Sequence, residues 1–392
     1  MALQAGFVRT FSRAVAHPIF RAGLGQKTLL RAARRMTGLT GLEPWGYEDG
    51  FQILLESLER DAGLSTIGRW SLRRTLLYAL ASRQLLAEYS RHHAPAPVTP
   101  PIVITGLPRT GTTFLHRLLA QDPRFHAPQL WNLMQPLPRH RFDSPLLRQW
   151  RFRVMLTTTL PFLSNIDARH FLRTSEPEEC MFAMAQSFCS MLFWTQAPVY
   201  RYLDWYQNVD KRAKYQQYAT LLPLLNAAAP ARRLLLKAPE HLGSVDHVAA
   251  MVPGTVIVQT HRDPVTAFAS FASLLRGTHE LATDRPDHPR AARATLEWLA
   301  LEARRNAEAR RTMPPVLDLS YDLIAGHPMA AAEAIYRFAS LELPAATRAS
   351  FQRFIAANPQ GKRGVHRYSA AETGIAESDI VRAFEGYGPA PA

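Results

Sequence analysis

Apolar residues along this chain repeat in two rhythms, and the changes of rhythm mark its elements. Residues 50 to 62 and 66 to 92 carry their apolar positions at helical spacing. Pro95, Pro97, Pro100 and Pro101 then stiffen a lead-in to residues 101 to 116, PIVITGLPRTGTTFLH. That stretch opens with an unbroken apolar run, which predicts a short buried strand, and continues as a glycine-bounded loop and the start of a helix. Strand character returns at Leu234-Leu235-Leu236, at residues 255 to 260 (TVIVQT), and in Val316-Leu317-Asp318-Leu319-Ser320-Tyr321-Asp322. Between the first and second of these strands, residues 145 to 229 read as helices rich in Phe, Met, Leu and Trp. Their stripe of Phe182, Met184, Phe188, Met191, Phe193 and Trp194 reads mainly as core, with part of it available to line an apolar acceptor pocket.

Buried strands alternating with helical stretches predict an α/β fold in three layers, a central parallel sheet flanked by helices. The chain shows neither internal repeats nor long linkers. The expected organisation is therefore a helical N-terminal extension over 1–100 and one compact α/β domain over 101–392.

The loop Gly106-Leu107-Pro108-Arg109-Thr110-Gly111-Thr112-Thr113 is the first candidate site. Two glycines bounding a strand-to-helix turn let backbone N–H groups converge on an oxyanion, and the following helix adds the positive end of its dipole. This matches the frame of the nucleoside triphosphatase P-loop, but Thr112 stands where that motif requires lysine. Arg109 supplies a cation from within the loop instead, which suits a guanidinium on a terminal oxyanion better than a magnesium-assisted triphosphate. A second constellation follows the 255–260 strand, in His261-Arg262-Asp263-Pro264. Pro264 suits the first turn of a helix and Ser270 lies two turns along it, so Arg262 and Arg109, both at carboxyl ends of strands, are expected to face one crevice. A third is Lys237-Ala238-Pro239-Glu240-His241, where an apolar strand ends in a lysine and a proline turn.

These three motifs together, Pro-Arg-Thr-Gly-Thr-Thr, Lys-Ala-Pro-Glu-His and His-Arg-Asp-Pro, resemble the sulfotransferase superfamily, and in particular its broad bacterial group, over roughly residues 40 to 387. The resemblance implies a P-loop-like fold and transfer of a sulfuryl group from 3′-phosphoadenosine 5′-phosphosulfate (PAPS). The acceptor would be a hydroxyl, secondarily an amine, of a small molecule, lipid or carbohydrate. It implies that Arg109, Thr110, Gly111, Thr112 and Thr113 hold the 5′ end of the donor and that Arg262 and Ser270 hold the 3′-phosphate. Tyr321 is similar to a tyrosine that contacts the adenine, with a structural role as its alternative.

Transfer needs cations on the sulfuryl and leaving oxygens and a base for the acceptor's proton. Lys237 and Arg109 supply the charge. His241 is the first choice of base, because an imidazole is neutral near neutrality without a large shift. Glu240 and the glutamates of Ser175-Glu176-Pro177-Glu178-Glu179-Cys180 are the alternatives, Glu178 among them. Related proteins commonly place a glutamate where this chain has Asn132 after Trp131, and an amide cannot act as that base. The basic loop around Lys362 and Arg363 suits closure over the 3′-phosphate, or else is a solvated charged loop.

Composition restricts the partners. The formal net charge is +14, and half of the excess lies in Arg9, Arg13, Arg21, Lys27, Arg31, Arg34 and Arg35, in a stretch up to residue 42 without acidic residues. This arm reads first as an N-terminal helix of Arg/Ala-rich composition, and second as a peripheral membrane contact or a transit segment. The remaining basic residues are scattered with no stacking motif, which argues against nucleic acid. No apolar run is long enough to span a bilayer, and Cys180 and Cys189 read as lying on one apolar helix rather than in a disulfide framework. A cytoplasmic enzyme that needs no metal is the expectation. Its rivals are a nucleotide or small-molecule kinase on the same scaffold and a non-catalytic basic protein that binds membrane or nucleic acid. The oligomeric state is not encoded in any of these features.

Overall fold

The computed structural model describes residues 23–42, 45–159, 176–359 and 370–388. Five parallel strands form one sheet in the order β2-β3-β1-β4-β5, with β1 Ile102–Gly106, β2 Phe125–His126, β3 Arg233–Lys237, β4 Val256–His261 and β5 Leu317–Ser320. Ile102 pairs with Leu235 on one side and Val256 on the other, so β1 is central, and all five of its residues are buried. This explains its continuous apolar pattern, since a strand covered on both faces has no solvent side to alternate toward. The four longer strands lie where the apolar runs predict them. β2 has two residues and leaves no periodic signal.

Helices Thr112–Leu119, Pro328–Phe338 and Ala345–Ala357 cover one face of the sheet through Leu115, Leu118, Ile335 and Phe351. The opposite face meets helices Arg212–Asn226 and Val245–Met251 through Leu221, Leu225 and Val248. A third apolar cluster joins the helices before β1 to the segment 181–206 and to helices Pro264–Ala282 and His288–Ala309, through Leu54, Leu76, Phe188, Trp194 and Trp298.

The two long N-terminal helices appear as Glu48–Arg60 and Thr66–His92. Ser65 caps the second, its hydroxyl accepting from the Gly68 amide at 3.0 Å. Gly68 is required by close packing, because a Cβ there would lie 2.0 Å from the carbonyl oxygen of Ala282. Arg83, fully buried on the same helix, donates to the Leu42 carbonyl at 2.7 Å, to the Gln186 carbonyl at 3.2 Å and to the Gln217 side chain at 3.1 Å. One guanidinium thus satisfies groups from three distant segments, which a buried cation must do to offset its desolvation.

The stretch around the cysteines differs from the single helix expected. It breaks into a turn of helix at Met181–Met184, a 3-10 turn at Ala185–Ser187 and a helix at Leu192–Gln196, with Phe188 at φ 56° between them. Cys180 and Cys189 are both free and buried, and burial pushes each thiol up to about 11. Among the described residues no helix is long and apolar enough to cross a membrane.

Candidate active site

The loop after β1 is built from backbone conformations that few residues tolerate. Gly106 has φ 145°, Arg109 φ 72° and Gly111 φ 88°. A Cβ on Gly106 would lie 2.4 Å from the Thr260 carbonyl oxygen, so glycine is needed for close approach to β4 as well as for its φ. Arg109 is the unusual member: a left-handed arginine without a glycine's freedom is strained, and surrounding contacts must hold it.

Those contacts are present. Arg109 Nε donates to Ser270 Oγ at 3.0 Å, while Arg262 Nη1 donates to the main-chain carbonyl of Arg109 at 3.1 Å. Thr110 Oγ1 donates to the Leu107 carbonyl at 2.7 Å and lies 2.6 Å from Thr260 Oγ1, which closes the loop onto β4. Two arginines and a serine from two separate motifs therefore meet, the arginines as their strand-end positions predict.

Arg262 is placed in turn by the helix that follows it and by Tyr321, the residue after β5. Asp263 caps helix Pro264–Ala282, accepting from the Thr266 amide at 2.8 Å, and Pro264 occupies the first turn. The Arg262 guanidinium lies 4.1 Å from the centroid of the Tyr321 ring, a cation-π stack that fixes its plane. Beside it, His261 Nε2 is 2.6 Å from Asp318 Oδ1, and Arg310 donates to both Asp318 oxygens at 2.9 and 2.6 Å. Burial alone would raise the Asp318 carboxyl, but its bonds to His261 and Arg310 hold it down at about 2. This hydrogen-bonded cluster ties β4 to β5.

One cavity of about 460 Å³ joins these groups to an apolar chamber. Arg109, Gly111, Thr112, Thr113, Arg262 and Tyr321 form its polar end. Leu130, Met134, Met155, Phe182, Met191, Leu192, Phe271 and Leu274 line the remainder. Of the predicted stripe, Phe182 and Met191 reach the cavity, whereas Met184, Phe188, Phe193 and Trp194 are core. Ser71, Arg74 and Thr75 on helix Thr66–His92 add polar atoms to the chamber wall. Nothing in their sequence context distinguishes them from other residues of that helix.

Lys237, at the end of β3, sits directly behind the polar end. Its Nζ donates to Glu179 Oε1 at 2.6 Å and to Thr113 Oγ1 at 3.3 Å. Glu179 and Thr113 both line the cavity, so Lys237 backs two of its walls while being only 1% exposed. Of the glutamate pair, Glu179 is the one facing the cavity.

The first-choice base is corrected by geometry. The 3-10 turn Pro239–Ser244 carries His241 inward, where it is 0% exposed, with Nδ1 3.1 Å from the Tyr215 hydroxyl and its ring against Tyr215 and Tyr218. Burial, reinforced by the Lys214 charge, pushes its imidazole down to about 3. It is a neutral core histidine without access to the crevice. Glu178 is also turned away, 3% exposed and accepting from the Glu179 amide at 3.1 Å. Glu240 is consumed by Ser190, the Met191 amide, Tyr206 and Lys214, at 2.9 to 3.2 Å. Asn132 donates to the Leu225 carbonyl at 3.1 Å and does not line the cavity. Lys362, Arg363 and Ser175 lie outside the described residues. Among the described residues no group of three or more His, Cys, Asp or Glu side chains is placed to hold a metal ion.

Comparison with known proteins identifies the family and the fold. The Sulfotransferase family is matched over residues 100–345, from the start of β1 to beyond β5. The omega-hydroxy-beta-dihydromenaquinone-9 sulfotransferases Stf3 of Mycobacterium bovis and Mycobacterium tuberculosis are each 27% identical over 188 residues, covering 46% of this chain and 47% of theirs. The match therefore spans about half the length of these curated relatives. The crystal structure of sulfotransferase STF1 from M. tuberculosis superposes with TM-score 0.79 at 27% identity, covering 93% of this chain and 99% of that one. STF9 from Mycobacterium avium superposes with TM-score 0.82 at 24% identity over 92% and 95%, a likeness of fold.

Proposed function

We propose that this chain, which belongs to the sulfotransferase family, moves the sulfuryl group of PAPS to a hydroxyl of an apolar, lipid-like acceptor. The observation that carries this reading is the single cavity in which Arg109, Thr113 and Arg262 share walls with a chamber of Met, Leu and Phe side chains. A phosphate cradle alone fits many nucleotides. A cradle opening directly into an apolar chamber suits a reaction between an anionic donor and a greasy alcohol.

The donor fits the residues present. Glycine at 106 and 111 lets the chain approach closely, and the strained φ of 72° at Arg109 is held by Ser270 and Arg262. In this reading the amides of 110 to 113, with Arg109 and the hydroxyls of Thr112 and Thr113, hold the 5′-phosphosulfate. Arg262 and Ser270 hold the 3′-phosphate, and Tyr321 offers its ring to the adenine. Arg109, on the cavity wall, draws charge off the sulfuryl and leaving oxygens, and Lys237 supports that wall from behind through its bonds to Thr113 and Glu179. Glu179, the carboxylate on the cavity wall, takes the acceptor's proton. The acceptor oxygen then bonds to sulfur as the bond from sulfur to the bridging phosphate oxygen breaks, and the negative charge departs on 3′-phosphoadenosine 5′-phosphate. The Stf3 relatives are named for a lipid-quinone alcohol, and the apolar chamber here is of that character.

Thermal shift decides between donors. 3′-Phosphoadenosine 5′-phosphate should raise the melting midpoint where ATP with magnesium does not, and transfer of labelled sulfate from PAPS to long-chain alcohols should be detectable. Stabilisation by ATP and magnesium with indifference to the 3′-phosphate would return the chain to the kinase reading.

A further inference from the structure

The helix Pro145–Thr159 has its apolar side facing out. Leu146 is 77% exposed, Trp150 59% and Val154 40%, and the four-residue spacing sets them in one stripe, extended by Phe142 at 70% just before the helix. Leu147 flanks the stripe at 36%. The opposite side of the helix is packed down: Phe152 is fully buried with its ring centroid 4.9 Å from that of Tyr78, and Arg148 donates to the Pro136 carbonyl at 2.9 Å. The one acid of the segment, Asp143, is buried and neutralised by Arg151 at 2.8 Å. Arg141 and Arg153 remain exposed at the two ends of the stripe. An aromatic and aliphatic ridge bounded by arginines, with its carboxylate hidden, is the composition of a helix that lies in a lipid headgroup layer.

We propose that this face docks the enzyme on an anionic lipid bilayer, with Leu146, Trp150, Val154 and Phe142 entering the acyl boundary and Arg141 and Arg153 engaging headgroup phosphates. Charge complementarity favours a bilayer over a second copy of the chain, because a two-fold contact on this face would bring exposed arginines of one sign together. The placement also has a use. Met155, the residue after Val154, lines the apolar chamber, so one helix borders both the membrane and the cavity that would receive a membrane-dissolved alcohol. The docking claim itself does not depend on the identity of the donor.

The test is flotation of the full chain with vesicles of phosphatidylcholine plus phosphatidylglycerol, and with phosphatidylcholine alone, at low and high salt. The chain is expected to float with the anionic vesicles. The double variant Leu146→Glu/Trp150→Glu should lower partitioning at least about tenfold. Binding of 3′-phosphoadenosine 5′-phosphate, measured by calorimetry, should be unchanged and reports the fold. A second pair, Arg141→Ala/Arg153→Ala, touches no apolar contact of the core and should weaken binding to the anionic vesicles while removing much of its salt dependence. Absence of flotation by the parent chain overturns the proposal. So does equal flotation of the variants, as when the arm before residue 42 carries the binding or when the variants only split a dimer of copies. Because vesicle binding is read without turnover, its failure is distinguishable from failure of the sulfuryl-transfer reading.

Discussion

Arg262 grips the backbone of Arg109: its Nη1 donates to the Arg109 carbonyl at 3.1 Å, across the gap between the ends of β4 and β1. The left-handed φ of Arg109 turns that carbonyl toward its partner, so the strain in one motif is balanced by a hydrogen bond from another. Arg262→Ala should weaken 3′-phosphoadenosine 5′-phosphate by about 10- to 100-fold in calorimetry, the range of a lost charge-assisted contact. Arg262→Lys should recover little of this, because an ammonium cannot stack on Tyr321, bond the carbonyl and meet a phosphate together. Full recovery by lysine would show that only net charge matters there.

Glu179 is the second test. Replacement by Gln keeps its size but removes the proton acceptor, so kcat should fall by about 10²- to 10⁴-fold with nucleotide binding retained. The same change leaves Lys237 buried without its carboxylate, which should cost about 3 kcal/mol of stability in urea unfolding. A Glu179→Gln enzyme that turns over at the parent rate would remove Glu179 from the chemistry. By contrast, His241→Gln should leave kcat within about threefold, since its ring faces Tyr215 and not the cavity.

The apolar chamber can be filled deliberately. Leu274→Trp projects a larger ring into the cavity from helix Pro264–Ala282, and should raise KM for a long-chain alcohol at least about tenfold. The affinity for 3′-phosphoadenosine 5′-phosphate should change far less, since the hydrogen bonds that hold Arg109 and Arg262 do not involve Leu274. A parallel loss of both would mean that the two ends are not separable subsites.

Three buried histidines set an acid limit. Burial pushes His116 and His241 down to about 3 and His279 to about 4, so all three stay neutral in the fold below the pH at which they protonate in the unfolded chain. Between the ordinary histidine value near 6.5 and these lowered values the unfolded state binds more protons, so stability falls as pH falls through that window and is level above it. Each histidine contributes a slope of about 1.4 kcal/mol per pH unit. Urea midpoints measured from pH 7 to pH 4 should show this, and His241→Gln should flatten the curve by one proton's worth.

The residues of the glycine loop and of its partner motif after β4 were largely readable because strand, glycine loop and helix start are local signals. Gly106, Arg109, Arg262 and Pro264 sit where their neighbours in sequence require. The long helix Thr66–His92 was readable for the same reason. β2 was not, since two residues have no period. The position of His241 was misread because a 3-10 turn directs side chains differently from either a strand or an α-helix, and only the turn's packing against Tyr215 decides that His241 goes inward. Glu179 could be named but not chosen over Glu178: neighbouring residues point apart, and the selection is made by Lys237, which lies 58 residues away in sequence.

The central place of β1 also governs when the molecule can come into being. Ile102 waits for Leu235 and Val256 before either of its edges is paired, so the glycine loop it carries has no seat while the first half of the chain is leaving the ribosome. Such distant pairings close slowly and leave an apolar strand edge open to other chains in the interval. Any chain ending before β4 would carry the whole glycine loop and still lack Arg262, the residue that holds it in shape. Heterologous production should therefore depend on chaperone supply and low temperature far more than the finished fold suggests.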